Sequence, residues 1–301
     1  MRMAPRCWLQ GIFAGVLVLW VFCATAADET SDPELREEIV RVPLPEGSGV
    51  PALVATTYRP PGAGPFPLIV LSHGSPPSAA DRPRMGRYRV ISRIRELTAR
   101  GFAVIVPMRR GYGDTGGPWA ENYSRCSSPD YRGAGEAAAV DVIAATAYAA
   151  SQPWVDRQRI ILFGQSAGGF ASIAAASRQP PGVVAVVNFS GGRGGQPDTR
   201  PGEPCGPDVM VRAIGHFAKT IRVPVLWHYA ENDRFFAPVH VRAWFEAFEA
   251  AGAPGVLVMQ PPFGNDGHSL FASAQGLPIW TAAFDDFLRH IGFVKSVAGN
   301  Q

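Results

Sequence analysis

The sequence predicts one α/β domain, with a mostly parallel central sheet of about eight strands and helices on both of its faces. Three observations lead there. From about residue 68 onward, short β-branched apolar runs alternate with longer amphipathic ones, the rhythm of strand–helix–strand units. Those short runs are apolar throughout, as strands covered on both faces should be. The composition, 47% hydrophobic and 18% charged over 301 residues, falls below the roughly 25% charge of an average soluble chain and excludes a disordered one. The 33 Gly and 28 Pro are scattered without a triplet period, so a collagen-like chain is excluded as well.

Taken in order, strands are expected at 39–44, 52–58, 68–72, 103–107, 160–163, 183–188, 225–229 and 256–260. The first ones follow one another without a helix between them and form an antiparallel start. Helices are expected at 88–100, 132–151, 167–178, 209–219, 239–251 and 278–291. There is no internal repeat, and no linker long enough to divide residues 27–301. Residues 191–207, rich in Gly and Pro, are expected to make an excursion over the active-site end of the sheet.

The amino terminus has the form of an export signal. Arg2 and Arg6 precede 21 uncharged residues, from Cys7 to Ala27, and Ala24-Thr25-Ala26 supplies the small residues of a cleavage site. Residues 1–26 are therefore expected to be removed, leaving a periplasmic or secreted protein with no stable membrane insertion. An uncleaved anchor stays open, because such a stretch just spans a bilayer. Trp20-Val21-Phe22 lacks the small residues that would precede a lipidated Cys23. Removing Arg2 and Arg6 takes the net charge from +3 to +1, and without any basic run no nucleic-acid partner is expected. Cys126 and Cys205 remain as an even pair in polar loops and read as one disulfide. No Cys or His spacing suits a metal.

The chemistry is concentrated around Ser166. Gly164-Gln165-Ser166-Ala167-Gly168 directly follows the strand 160–163 and opens a small-residue helix, the strand–turn–helix setting that G-x-S-x-G requires. The serine occupies a strained turn with glycines on either side, so its hydroxyl stands above the sheet at a helix N-terminus. A serine hydroxyl needs a base held in one tautomer by a carboxylate. Asp233 follows the strand 225–229 and His268 follows the strand 256–260, in the order acid then histidine. Glu231 is the rival acid, and Asp266 is too close to His268 in sequence to hold the far side of its ring. His216, His228, His240 and His290 fall within predicted helices or a strand and read as structural or surface histidines.

An oxyanion hole needs two converging backbone donors. The N–H of Ala167 is the first, and that of Ser75, in the loop His73-Gly74-Ser75-Pro76-Pro77, is the second. Gly111-Tyr112-Gly113-Asp114-Thr115-Gly116 matches a dinucleotide fingerprint, yet Pro118 and an irregular stretch follow it in place of a helix. It reads as a loop at the site's mouth, with Tyr112 and Trp119 as pocket-lining residues.

With these residues placed, the chain resembles the α/β-hydrolases, and within them the exported dienelactone hydrolase-like branch that borders the prolyl oligopeptidase-type serine peptidases. The resemblance runs from about residue 52 to 291 and is carried by Arg110-Gly111-Tyr112-Gly113, residues 164–169, Tyr229-Ala230-Glu231-Asn232-Asp233 and Asp266-Gly267-His268. It implies ester hydrolysis through an acyl-enzyme, without a cofactor, on a small-molecule ester or short acyl substrate. Dienelactone hydrolase proper has a cysteine nucleophile where this chain has Ser166, so its substrate does not carry over. A serine carboxylesterase is the expectation. A peptidase is the alternative, although such peptidases carry a large propeller that residues 1–51 do not supply. An inactive binding protein on the same fold is the third reading.

Overall fold

The computed structural model describes residues 31–293. The expected export signal lies outside the described residues. Residues 32–293 form one compact unit.

Among the described residues, ten strands and six α-helices follow one another: β1 (Glu38–Pro43), β2 (Ala52–Tyr58), β3 (Phe66–Ser72), α1 (Ile91–Ala99), β4 (Ala103–Pro107), β5 (Ser124–Arg125), β6 (Ser128–Pro129), α2 (Tyr131–Ala150), β7 (Val155–Gln165), α3 (Ala167–Ala176), β8 (Val183–Phe189), α4 (Pro207–Ala218), β9 (Val225–Ala230), α5 (Pro238–Ala250), β10 (Gly255–Gln260) and α6 (Leu277–His290). The main sheet has eight strands in the order β1-β2-β4-β3-β7-β8-β9-β10. β2 runs antiparallel to both β1 and β4, and every later pairing is parallel.

The period-two geometry of strands sorts the core into two layers. Leu68 and Val70 of β3 pack with α2, α3, α4 and α5 on one face. Their neighbours Ile69 and Leu71 pack with α1 and α6 on the other. Covering both faces is what makes these strands apolar at every position. Helix starts follow local chemistry: Asp130 caps α2 by accepting from Gly133 N at 2.8 Å, and Pro occupies the first turn of α4, α5 and α6.

Three elements differ from the sequence expectation. β7 starts at Val155, because Phe66 of β3 pairs with it beyond a register irregularity that the polar residues 156–159 conceal. α1 starts at Ile91, and upstream of it the Tyr88 hydroxyl donates to Gln165 Oε1 at 2.8 Å. The stretch read as irregular contains the small hairpin β5–β6.

That hairpin carries Cys126, which is disulfide-bonded to Cys205 ahead of α4. The bond ties the hairpin to residues 191–207 and closes a loop spanning 79 positions. Cys205→Ser is expected to lower stability by about 2–4 kcal/mol in urea unfolding, and a loss under about 0.5 kcal/mol would show that packing alone holds this corner.

The chain reverses direction across the sheet at β3. It moves from β3 to β4 on one side, then crosses to β7 on the other. The carboxyl ends of β3 and β7 therefore border the crevice where open α/β sheets bind ligands.

Candidate active site

Ser166 sits between β7 and α3 with φ 55° and ψ −123°. A non-glycine residue in such a conformation costs about 1–3 kcal/mol and persists only where its surroundings over-determine it. Here Ser166 N donates to Phe189 O at 2.9 Å, and Ser166 O accepts from Phe170 N and Gly192 N, both at 3.2 Å. The flanking glycines are required by contact. A Cβ on Gly164 would lie 2.2 Å from Gly168 O, and one on Gly168 would lie 2.1 Å from Ser72 O.

His268 and Asp233 meet across the ends of β10 and β9. His268 Nδ1 lies 3.1 and 3.0 Å from the two carboxylate oxygens of Asp233. A carboxylate only accepts, so Nδ1 carries the proton and Nε2 is left as the basic nitrogen. Asp233 is buried, and Phe235 N and Phe236 N donate to its Oδ1 at 2.8 and 3.1 Å. The ring of Phe235 stacks on His268 at 3.9 Å and restricts its rotation. Glu231 is exposed and only its backbone N–H is engaged, by Gln260 O. Asp266 takes a third role: its Oδ1 accepts from Arg234 N and His268 N, both at 3.0 Å, joining the two loops through their backbones.

Ser166 and His268 line one cavity of about 310 Å³, together with Gly74, Met85, Tyr88 and Phe235. No direct hydrogen bond joins the two side chains among the described residues, a looseness usual before substrate binds. A second cavity of about 60 Å³ borders Ser166 on its other side and is lined by Ser75, Ala167, Trp119, Arg82 and Arg193, among others. The backbone N–H groups of Ser75 and Ala167 donate to no acceptor within the described chain, so both are available to a ligand. A larger cavity of about 630 Å³, lined by Leu226, Val258 and Phe287, contains none of these residues.

The loop bearing Ser75 is held by His73. Arg109 N donates to His73 Nε2 at 3.1 Å, so Nδ1 bears the proton and donates to Gly74 O at 2.6 Å. Burial, reinforced by the Arg109 charge, pushes His73 down to about 3 and keeps it neutral. His228, buried in β9, is likewise pushed down to about 4. Both groups bind fewer protons folded than unfolded, where a histidine titrates near pH 6.5. Stability is therefore expected to fall as pH drops from about 6.5 toward 4, by about 1.4 kcal/mol per pH unit for each histidine. His228→Phe should roughly halve that slope in urea titrations at pH 7, 6 and 5, and an unchanged slope would rule out His228 as a source.

Tyr112 is placed differently from the expectation: it does not line the cavity. It is fully buried behind Ser75, and its hydroxyl donates to Glu121 Oε1 and accepts from Ser75 Oγ at 2.9 Å. Trp119 does line the smaller cavity, and its Nε1 donates to the Tyr112 hydroxyl at 3.0 Å. Residues 111–116 are thus a packing loop: the hairpin β5–β6 follows them in place of a fingerprint helix, and a Cβ on Gly111 would lie 2.4 Å from Trp119 Cα.

Behind this wall lies a buried charge cluster that no sequence motif announces. Glu121, 2% exposed, accepts from Arg109 Nε and Nη2 at 3.0 and 3.1 Å and from Arg193 Nη1 at 3.3 Å. Burial would raise its carboxyl, but the charges and hydrogen bonds of Arg109 and Arg193 outweigh that and hold it far below the usual carboxylate range. Its partners lie 12 and 72 positions away in sequence, so no local pattern marks it. Among the described residues no group of three or more His, Cys, Asp and Glu could hold a metal ion, and no helix is long and apolar enough to cross a membrane.

Comparison with known proteins agrees with this architecture. The family model described as the prolyl oligopeptidase family matches residues 88–192, a segment that includes the serine turn. No curated protein matches the chain. Among solved structures, an acylaminoacyl peptidase of Pyrococcus horikoshii is similar with a TM-score of 0.61 at 16% identity, over 88% of this chain and 43% of that one. The chain thus spans less than half of that peptidase. An acetyl xylan esterase from Paenibacillus sp. R4 is similar at 16% identity and TM-score 0.56, over 85% of this chain and 89% of the esterase. A dienelactone hydrolase-like promiscuous phosphotriesterase from metagenomic libraries is similar at 18% identity and TM-score 0.56, over 84% and 98% of the two chains. The chain has the α/β-hydrolase fold, and between residues 88 and 192 its sequence resembles the prolyl oligopeptidase family.

Proposed function

We propose that this protein is an exported serine hydrolase that cleaves carboxylic esters through an acyl-enzyme. The observation that carries this reading is the strained Ser166 turn sharing a cavity with a histidine whose Nδ1 is bonded to a buried carboxylate. Ser166 Oγ attacks the ester carbonyl as its proton passes to His268 Nε2. The oxyanion takes hydrogen bonds from Ser75 N–H and Ala167 N–H. Collapse breaks the C–O bond to the alcohol, which leaves with the proton from His268. Water then attacks the acyl-enzyme, gives one proton to His268 and releases the acid, and Ser166 Oγ regains that proton. Asp233 holds the ring and stabilises its charged form throughout. The disulfide between Cys126 and Cys205 supports an oxidising destination.

A peptidase is the second reading, favoured by the prolyl oligopeptidase match over residues 88–192. The test is hydrolysis of p-nitrophenyl acetate and butyrate beside a panel of aminoacyl-nitroanilides, with mass-spectrometric mapping of a fluorophosphonate label. Ester turnover with the label on Ser166 is the expected result. Nitroanilide turnover alone would favour the peptidase, and no label at all would favour a binding protein with an inactive site.

A further inference from the structure

The space around Ser166 has two sides of different chemistry. Under the proposed mechanism, on which this inference rests, His268 delivers a proton to the departing alcohol. The leaving group therefore belongs in the cavity that His268 lines. The acyl group is left with the smaller cavity, which Ala167 lines and His268 does not, while Ser75 borders both.

That smaller cavity is cationic. Arg193, 4% exposed, and Arg82 both line it, and the Arg82 guanidinium lies 3.4 Å above the ring of Trp119. Behind the wall stand Arg109 and a single carboxylate, Glu121, which pairs with Arg109 and Arg193. Glu121 holds Arg109 and Arg193 as cations, whereas no carboxylate among the described residues is bonded to Arg82. Arg82 Nε and Arg193 Nε are buried without an acceptor among the described residues. Burial lowers the proton affinity of Arg82, and repulsion from Arg193 adds to the effect. Guanidiniums with unpaired N–H groups are stabilised by an anion brought in with the ligand.

Size narrows the choice of anion. At roughly 10–15 Å³ for each water-sized group, a volume of about 60 Å³ accommodates about four to six heavy atoms. One or two methylenes and a carboxylate fit this volume. We infer that the acyl group taken by this site is short and ends in a carboxylate, so that its substrates are half-esters of small dicarboxylic acids, with Arg193 and Arg82 as the specificity-determining residues.

The experiment compares monomethyl succinate with methyl 4-methylpentanoate, in which an isopropyl group replaces the terminal carboxylate at nearly equal size. Acid release is followed by alkali titration with the purified protein. The half-ester is expected to have the higher kcat/KM by about tenfold or more, with the ratio falling toward one in Arg82→Gln and Arg193→Gln. Arg193 also supports Glu121, so Arg82→Gln carries the comparison if the Arg193 variant does not fold. Protection of Ser166 from a fluorophosphonate gives a readout independent of turnover: succinate should protect at a concentration about tenfold lower than 4-methylpentanoate. Equal ratios, or equal protection, with labelling intact would overturn this inference alone. Absence of both labelling and ester turnover would overturn the hydrolase reading beneath it.

Discussion

Ser166→Ala is expected to lower kcat for ester hydrolysis about 10⁶-fold and Asp233→Asn about 10⁴-fold, both with the fold retained. Under the proposed mechanism the serine variant loses the atom that forms the acyl-enzyme and keeps whatever rate the oxyanion donors and binding supply. The asparagine variant acts through tautomer choice. An Asn amide oriented with its N–H₂ toward His268 Nδ1 would demand an acceptor there, placing the proton on Nε2, where the base must be. Two backbone N–H groups already aim at Asp233 Oδ1, from Phe235 and Phe236. They fix the Asn oxygen at that position and push its N–H₂ toward the ring. Circular dichroism and urea unfolding should show both variants folded, while p-nitrophenyl butyrate reports the rate. A fall of less than about tenfold in Asp233→Asn would mean that another group orients His268, with Glu231 the first to test.

Glu121→Gln is expected to destabilise the protein by about 3–5 kcal/mol, the cost of removing one partner from a buried ionic group. The reason is geometric. Glu121 stands between Arg109 and Arg193, whose side chains are 0% and 3% exposed, and neutralising it leaves two buried cations facing each other. The urea midpoint should drop with an unchanged slope, since the surface exposed on unfolding stays the same. Loss of function should accompany it, because Arg109 also holds His73 O at 2.8 Å and His73 in turn holds the loop bearing Ser75. A change under about 1 kcal/mol would show that water or rearrangement satisfies the arginines. The sign with pH follows from the depressed carboxyl of Glu121. Its contribution is present above the ordinary carboxylate range, near pH 4, and is lost only as pH falls through the lower folded value.

The order of elements was legible in the sequence because it rests on local rules. Strand β2 and strand β4 occur where apolar β-branched runs indicated, and every expected helix is present within a few residues. The turn around Ser166 was legible for the same reason: glycines at 164 and 168 are demanded by atoms only a few residues away or on the adjacent strand. Asp233 and His268 could be nominated because strand ends on a parallel sheet converge on one edge.

Other features depend on which distant segments meet. Glu231 and Asp233 are nearly equivalent as text, and only the path of the loop after β9 turns Asp233 toward His268 and leaves Glu231 exposed. Tyr112, expected on the cavity wall, is drawn behind it by Glu121 and Ser75. The arginine-lined cavity joins residues 75, 82, 119, 166 and 193, which share no motif. The chain's own residues determined the strand–helix order and the reactive serine turn, because periodicity and steric fit act between near neighbours. Tertiary structure decided which carboxylate bonds His268 and which charges line the cavity beside Ser166, because loops from separate segments meet at the sheet's switch point and ion pairs form there regardless of distance in sequence.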